Sequence, residues 1–433
     1  MTLASRLRAL VPSASVLRTS MATSAVLTAR LFTQAATLVL LTRALGPSGY
    51  GAFASAAAIA VMLGILPGAG AGYVLLSRIE HDDTAPRDVW SYSWPIIGIV
   101  GTLLTPIFVG LAHLAAGDAC LSAGLLVLMA MSELLANPFI LTLSFVMQAR
   151  GRVTLSQVMQ WLPLALRVAA VAIAMRFAAP DRLAAYLTLQ FAGSLACAWM
   201  AWRVARLMGD LHWRPRRARG SEMRQGASYA LMNLIALNPA ELDKVITLRV
   251  LGAHDAGIYA ATARIVGAMV TPVTALLLSV QTRLFGRSAE RMGDRHRMIA
   301  QVAVAALVWG AVSMGILEAS SPWLPRLFGA PYLAIAQLMH WLALAAPLIS
   351  LRISAGTILV SLGRPLHRIC FEVGGVAVLC AAMAWLAARH GATGAAIALI
   401  IAEGAMSLIG WGMVARLIAV HRRERALAEG PAI

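Results

Sequence analysis

Apolar positions in this chain come in near-continuous runs, separated by short polar segments rich in arginine. Most runs reach the roughly 20 residues that a helix needs to cross a hydrocarbon core. Twelve such spans are predicted, with approximate limits 20–44, 48–77, 89–113, 119–148, 153–177, 183–208, 223–250, 254–283, 297–317, 331–362, 365–388 and 392–419. Several exceed a minimal span, which predicts tilt or extension beyond the bilayer. Polar interruptions inside the runs are few, and each is a specific side chain that needs a physical reason.

Composition supports this pattern. Of 433 residues, 60% are hydrophobic and 13% charged, and mean hydropathy is +0.76. A soluble domain is about half apolar and about a quarter charged. The net charge of +17 would suit nucleic-acid binding, but the charges sit in short loops between spans. With a cytoplasmic N-terminus, 25 of the 36 Lys and Arg fall on the cytoplasmic side, six on the opposite side and five inside spans. The positive-inside rule therefore puts both termini in the cytoplasm and excludes nucleic acid as a partner. Arg6, Arg8 and Arg18 flank a stretch broken by Pro12, which predicts a basic tail over 1–19 rather than a signal peptide. The four cysteines and nine histidines are scattered, with no CxxC or Cys/His cluster, so neither a disulfide framework nor a metal is expected.

The chain repeats itself. Arg43-Ala-Leu-Gly46, followed by Gly49 and Tyr50, returns as Arg249-Val-Leu-Gly252, followed by Gly257 and Tyr259, at an offset of 206. Gly151-Arg152 returns as Gly363-Arg364, Val204-Ala-Arg-Leu207 as Val414-Ala-Arg-Leu417, and Pro67 nearly as Pro272. Six spans is an even number, so both halves enter the membrane in the same orientation. This predicts an all-α polytopic protein of about twelve transmembrane helices, in two pseudo-symmetric six-helix bundles around a central cavity. The bundles are expected over 20–208 and 223–419, joined by a basic cytoplasmic linker over 209–222 and followed by a cytoplasmic tail over 420–433.

Loops are short on both faces, which disfavours a membrane glycosyltransferase or polymerase. No Walker, GxSxG or HExxH sequence is present. The paired RxLG…GxY entries, the glycine-arginine turns and Asp243 resemble the polysaccharide transporter (Wzx-type) flippases of the multidrug/oligosaccharidyl-lipid/polysaccharide exporter superfamily. The resemblance covers about residues 20 to 420. It implies movement of undecaprenyl-pyrophosphate-linked oligosaccharide across the bacterial inner membrane by ion-coupled alternating access, without a cofactor and without enzymatic activity. It implies as partners the lipid-linked cargo, membrane lipids, and a polysaccharide polymerase with other assembly proteins. A multidrug/cation antiporter of the same superfamily is the main alternative.

Charges inside spans cost roughly 2.5–3.5 kcal/mol each on the lenient insertion scale. Here they are Arg30, Arg167, Lys244, Arg264, Arg352, Glu133, Glu241, Asp243, Glu372 and Glu403. Arg30 lies about ten residues into span one, about 15 Å deep. Thr23, Arg30, Gln34 and Thr37 share one helical face. Arg264 reaches a similar depth in span eight. One reading has Arg30 and Arg264 clamp a pyrophosphate, with Gln34 and Arg352 beside them, because guanidinium donates bidentate hydrogen bonds to phosphate. The other pairs these arginines with Glu133, Glu241, Glu372 or Glu403. Arg167 is expected to pair with Glu133. Pro239 predicts a broken helix beside Glu241 and Asp243, a place for proton or Na⁺ coupling, while Lys244 is expected to snorkel. Pro67 and Pro272, like Pro239, are hinge candidates. The tryptophans, Trp90, Trp94, Trp202, Trp323 and Trp341 among them, are expected to anchor the interface, with no sign of sugar stacking.

Overall fold

Helix is the only regular secondary structure among the described residues of the computed structural model, which are 14–68, 70–78, 85–209, 211, 213–285 and 292–428. The start of the N-terminal tail, the last five residues, Arg287 and Arg291 lie outside them. So do the side chains of Arg18, Arg283, Arg295, Ala236, Asn238 and Pro239. Eight helices are long and apolar enough to cross a membrane, and a bent pair, Ala330–Ala343 with Ala345–Ser361, makes a ninth. Three of these nine, Met21–Leu63, Glu241–Thr274 and Pro365–Val420, contain a sharp glycine break. Counting those three twice gives the twelve expected spans.

The breaks show what the repeated motif is for. Gly46 has φ 67° and ψ 176°, and Gly252 has φ 79° and ψ 174°. That region is essentially closed to residues with a Cβ. One glycine therefore turns span one into span two, and its repeat turns span seven into span eight, with no loop needed. Pro47 follows at once, where a helix start tolerates a missing N–H. The glycine-arginine turns also match in detail. Gly151 N–H donates to Gln148 O at 3.0 Å and Arg152 N–H to Met147 O at 3.0 Å. Gly363 N–H donates to Val360 O at 3.0 Å and Arg364 N–H to Leu359 O at 2.9 Å. With φ of 74° and 71° at the glycines, both are Schellman caps.

The chain packs as two compact units. One comprises residues 1–45, 59–114 and 121–234; the other comprises 46–58, 115–120 and 235–433. The segment following the linker, up to Leu234, thus belongs to the first unit, while the start of span two and the remainder of span seven belong to the second.

In the first unit, the core gathers Leu75, Val89, Trp90, Ile140, Leu143, Met147 and Cys197 from several spans. Span one is tied to span five by Thr23 Oγ1 with Thr154 Oγ1 at 3.1 Å and by Trp161 Nε1 donating to Thr33 Oγ1 at 2.9 Å. Span two stops at Leu63, turns through Pro67, and resumes as Ala71–Arg78. That short helix meets the start of span seven. A Cβ on Gly70 would overlap the Gly226 carbonyl, and Tyr73 stacks on Tyr229 at 5.5 Å between centroids.

In the second unit, the starts of spans two and eight cross backbone to backbone. A Cβ on Gly51 would overlap Ala253 O, and one on Gly257 would overlap Pro47 O. Gly51 and Gly257, like Pro47 and Ala253, are one repeat offset apart, so the contact is reciprocal. Spans ten and twelve are joined by Ser407 Oγ to Leu348 O at 2.7 Å and by Trp411 Nε1 to Leu351 O at 3.0 Å. Span ten bends by 46° between its two helices.

Two expectations are corrected. Span seven is not broken at Pro239, since the backbone stays helical from Gly220 to the turn at Gly252. Pro272 does not mirror Pro67 either, because span eight runs on as helix through it. Proline removes one hydrogen bond, and a helix held on its other faces by neighbours tolerates that loss.

Candidate functional site

The ten in-span charges sort into three clusters and one remainder; two of the clusters are neutral by themselves, and the third is balanced by Arg368 from outside the ten. In the first unit, Glu133 collects donors from spans four, five and six. Its Oε1 accepts from Arg167 Nη2, in an ion pair, and from Gln190 Nε2 at 2.9 Å; its Oε2 accepts from Asn137 Nδ2 at 2.6 Å. Span four widens here into a π-helical turn, Met131–Ala136, just before Pro138. A proline cannot donate to the carbonyl four residues back, and one extra residue in the turn relieves the resulting clash. The pairing of Arg167 with Glu133 is the one expected from sequence. The π-turn carries no periodicity signal, and the sequence does not predict it.

In the second unit, Lys244 Nζ lies 3.3 Å from Glu241 Oε2 and 3.3 Å from Asp243 Oδ1. Tyr259 donates its hydroxyl to Asp243 Oδ2 at 3.0 Å. Arg264 Nη2 is 3.9 Å from Glu241 Oε2, and the Tyr50 hydroxyl hydrogen-bonds to the same guanidinium. The two tyrosines are the aromatic residues of the repeated motif, and both are buried. Lys244 is buried in this ion pair rather than extended to the interface. Two carboxylates and two cations make the cluster neutral.

The third cluster lies on spans ten, eleven and twelve. Arg352 Nε donates to Glu403 Oε2 at 2.6 Å, and Nη1 is 3.8 Å from Glu372 Oε1. Arg368 Nε adds a contact to Glu372 at 3.1 Å. Arg352 is 3% exposed, so of its two sequence readings the geometry contains the ion pair. Enclosed in this way, its guanidinium presents no face to a large ligand.

Arg30 is the remainder. It is half-buried and makes no hydrogen bond or ion pair with any described residue. Glu133, an acid that could have balanced it, is already saturated. Gln34 is exposed on the same helix, and Thr37 turns its hydroxyl back to Thr33 O at 2.8 Å. The polar stripe on span one is therefore split. Thr23 and Thr33 pack against span five, while Arg30 and Gln34 keep polar atoms unassigned.

The linker carries a fourth ionic site. Glu222 accepts from Arg78 Nη1 at 2.8 Å, Arg216 Nη2 at 2.9 Å and Arg219 N–H at 2.7 Å. Removal from water pushes its carboxyl up, but the hydrogen bonds from Arg216, Arg219 and Arg78 outweigh this and hold it at about 2. Nearby, Trp213 sits among Trp90, Trp94, Phe139 and Trp202, with centroids 5.2–5.9 Å from its own. Trp90 is fully buried. This corrects the expectation of a simple interfacial anchor: the aromatic spacing along the chain does not reveal that the linker folds Trp213 back onto three other tryptophans. Trp323 and Trp341 remain exposed, as anchors require. Among the described residues, no group of three His, Cys, Asp or Glu side chains is arranged to hold a metal ion.

Paired glycine turns between long apolar helices, with charges inside them, describe a polytopic all-helical membrane fold. A multidrug resistance MATE family transporter of the MOP superfamily, in an inward-facing conformation, matches with a TM-score of 0.74 and 14% identity over 91% of this chain and 96% of its own. The lipid II flippase MurJ, in an inward closed conformation, matches with a TM-score of 0.66 and 13% identity over 92% and 87%. A MOP superfamily transporter from Pyrococcus furiosus, for which a reverse polarity of the binding pocket suggests a different function, matches at 0.63 and 14% over 93% and 95%. The chain shares its fold with these three solved structures. A family model described as polysaccharide biosynthesis protein matches residues 18–285, more than half of the chain. The chain belongs to that family. No curated protein sequence gives a match.

Proposed function

We propose that this protein is a flippase that moves undecaprenyl-pyrophosphate-linked oligosaccharide across the bacterial inner membrane for surface polysaccharide synthesis, by ion-coupled alternating access with both termini cytoplasmic. Membership in the polysaccharide biosynthesis family supports the pathway, and the fold supports a transporter. The observation that carries the cargo is Arg30: a guanidinium at mid-span with no acid beside it among the described residues, where a lone cation is costly and where an anionic headgroup would neutralise it. Arg264 is a weaker second ligand, because Glu241 and Tyr50 already engage it. Glu241 and Asp243 are the proposed coupling carboxylates, with Lys244 as their resident counter-charge. Pro67, at the turn in span two, is the proposed hinge.

The test is complementation of a strain lacking the gene. Arg30→Ala is expected to abolish surface polysaccharide while the protein inserts at normal level. Unchanged polysaccharide in that strain would remove the pyrophosphate reading. The antiporter alternative, suggested by the shared fold, predicts instead that organic-cation resistance depends on Glu241 and survives Arg30→Ala. Vesicle transport insensitive to both proton and Na⁺ gradients would end the coupling role of Glu241 and Asp243.

A further inference from the structure

We propose that the aromatic nest around Trp213 is a binding site for the phosphate of an anionic phospholipid headgroup. The proposal does not depend on which cargo the protein carries. It rests on an accumulation of hydrogen-bond donors without acceptors. Trp90 Nε1, Trp94 Nε1, Trp202 Nε1 and Tyr92 Oη are all buried and have no hydrogen-bond partner. The three indoles all touch the Trp213 ring, while Tyr92, two residues from Trp90 and Trp94, lies on another face of the helix, under Arg216. An isolated buried donor without a partner is costly, and native proteins hold few of them. Several around one ring call for an acceptor from outside the chain.

The surroundings indicate that this acceptor is anionic. Arg206 lies over the Trp202 ring at 5.3 Å, and Arg216 over the Tyr92 ring at 5.2 Å. Arg150 Nη1 is buried without a partner, and its guanidinium packs against Gly209, where a Cβ would overlap it. Arg203 and Arg214 are exposed nearby in sequence. Of the acids nearby among the described residues, Glu222 is saturated by Arg78, Arg216 and Arg219 and Asp88 acts on Arg216, so the excess positive charge lies with Arg150, Arg203, Arg206 and Arg214. Indole N–H and guanidinium groups together match the oxygens of a phosphate. The nest lies at the ends of spans three and six, where Trp, Tyr and Arg meet headgroups, and anionic lipids are the phosphates always present there.

The experiment uses the full chain, purified in detergent and studied by native mass spectrometry with added phosphatidylglycerol or phosphatidylcholine. The wild type is expected to retain phosphatidylglycerol about tenfold more tightly. Trp94→Phe with Trp202→Phe keeps the rings and removes two donors, and is expected to lose about that factor. Should the double variant fail to fold, Arg206→Ala, an exposed site, is read in its place with the same expected direction. Equal retention of the two lipids by the wild type, or an undiminished preference in the variant that folds, would overturn the proposal. Undecaprenyl pyrophosphate is the second arm. If it displaces phosphatidylglycerol and its own binding falls in the variants, the phosphate belongs to the cargo, and the phospholipid assignment is overturned.

Discussion

Arg352 and Arg30 are both arginines in the middle of apolar spans, and their neighbourhoods are opposite. Arg352 is enclosed on spans ten to twelve with Glu403 at 2.6 Å and Glu372 at 3.8 Å. It joins three helices, and its charge is cancelled where it sits. Arg30 is half-buried and meets no acid among the described residues. A buried ion pair whose partners are both present is nearly neutral in its contribution to stability, yet removing one partner is strongly destabilising. A lone cation behaves in the reverse way: its removal relieves a penalty. Stability measurements therefore separate a structural charge from a functional one without knowledge of the cargo.

The sharpest test is Arg30→Ala. Transport is expected to fall by orders of magnitude, while the melting temperature in detergent stays level or rises. A drop in melting temperature without loss of polysaccharide would place Arg30 with Arg352. Next in size is Arg352→Ala, expected to destabilise by about 3–5 kcal/mol because Glu403 loses its cation and Glu372 is left with Arg368. Adding Glu403→Gln should recover part of that loss, which thermal melting of the double variant would show. Arg264→Ala should fall between these two cases, with a reduced transport rate and a modest loss of stability, since the Glu241 carboxylate oxygen it faces is 3.9 Å away. Transport equal to wild type would leave Arg264 as a structural partner of Glu241.

Glu222 offers a smaller, pH-resolved check on the pairing side of the comparison. Its carboxyl is held at about 2 against an ordinary 4.5. Its contribution is therefore complete above about pH 4.5, declines below that, and is lost as pH falls through about 2. Glu222→Gln should lower the melting temperature at neutral pH and narrow its gap to wild type toward pH 3. A gap independent of pH would contradict the assignment. The smallest effect is expected at Pro272, where the helix is continuous. Pro272→Ala should leave transport within about twofold, whereas Pro67→Ala should reduce it if the turn in span two is a hinge. Paired assays of the two variants test this, and equal outcomes would remove the hinge.

Much of the architecture was legible in the residues because membrane spans are decided by a coarse property. Long apolar runs and the arginine asymmetry point to twelve spans, and left-handed glycines fall on the repeated RxLG and Gly-Arg motifs. The candidate site was legible only as an inventory. Depth along a helix follows from a rise per residue, so Arg30, Arg264 and Arg352 could all be placed near mid-membrane. Which acid each one meets depends on the rotation and crossing of helices that are distant in sequence, and no periodicity records that. The π-turn at Met131–Ala136, the continuous helix through Pro239 and the folding of Trp213 onto Trp90, Trp94 and Trp202 escape a sequence reading for the same reason.

Composition and pattern alone thus determined that this chain spans a membrane twelve times, in two halves of like orientation, with expensive charges inside. These follow from transfer free energies and backbone sterics, which act residue by residue. Tertiary structure decided the rest. It paired nine of the ten in-span charges and left Arg30 without a partner among the described residues, because compensation between charges depends on distance through space, and only packing sets that distance.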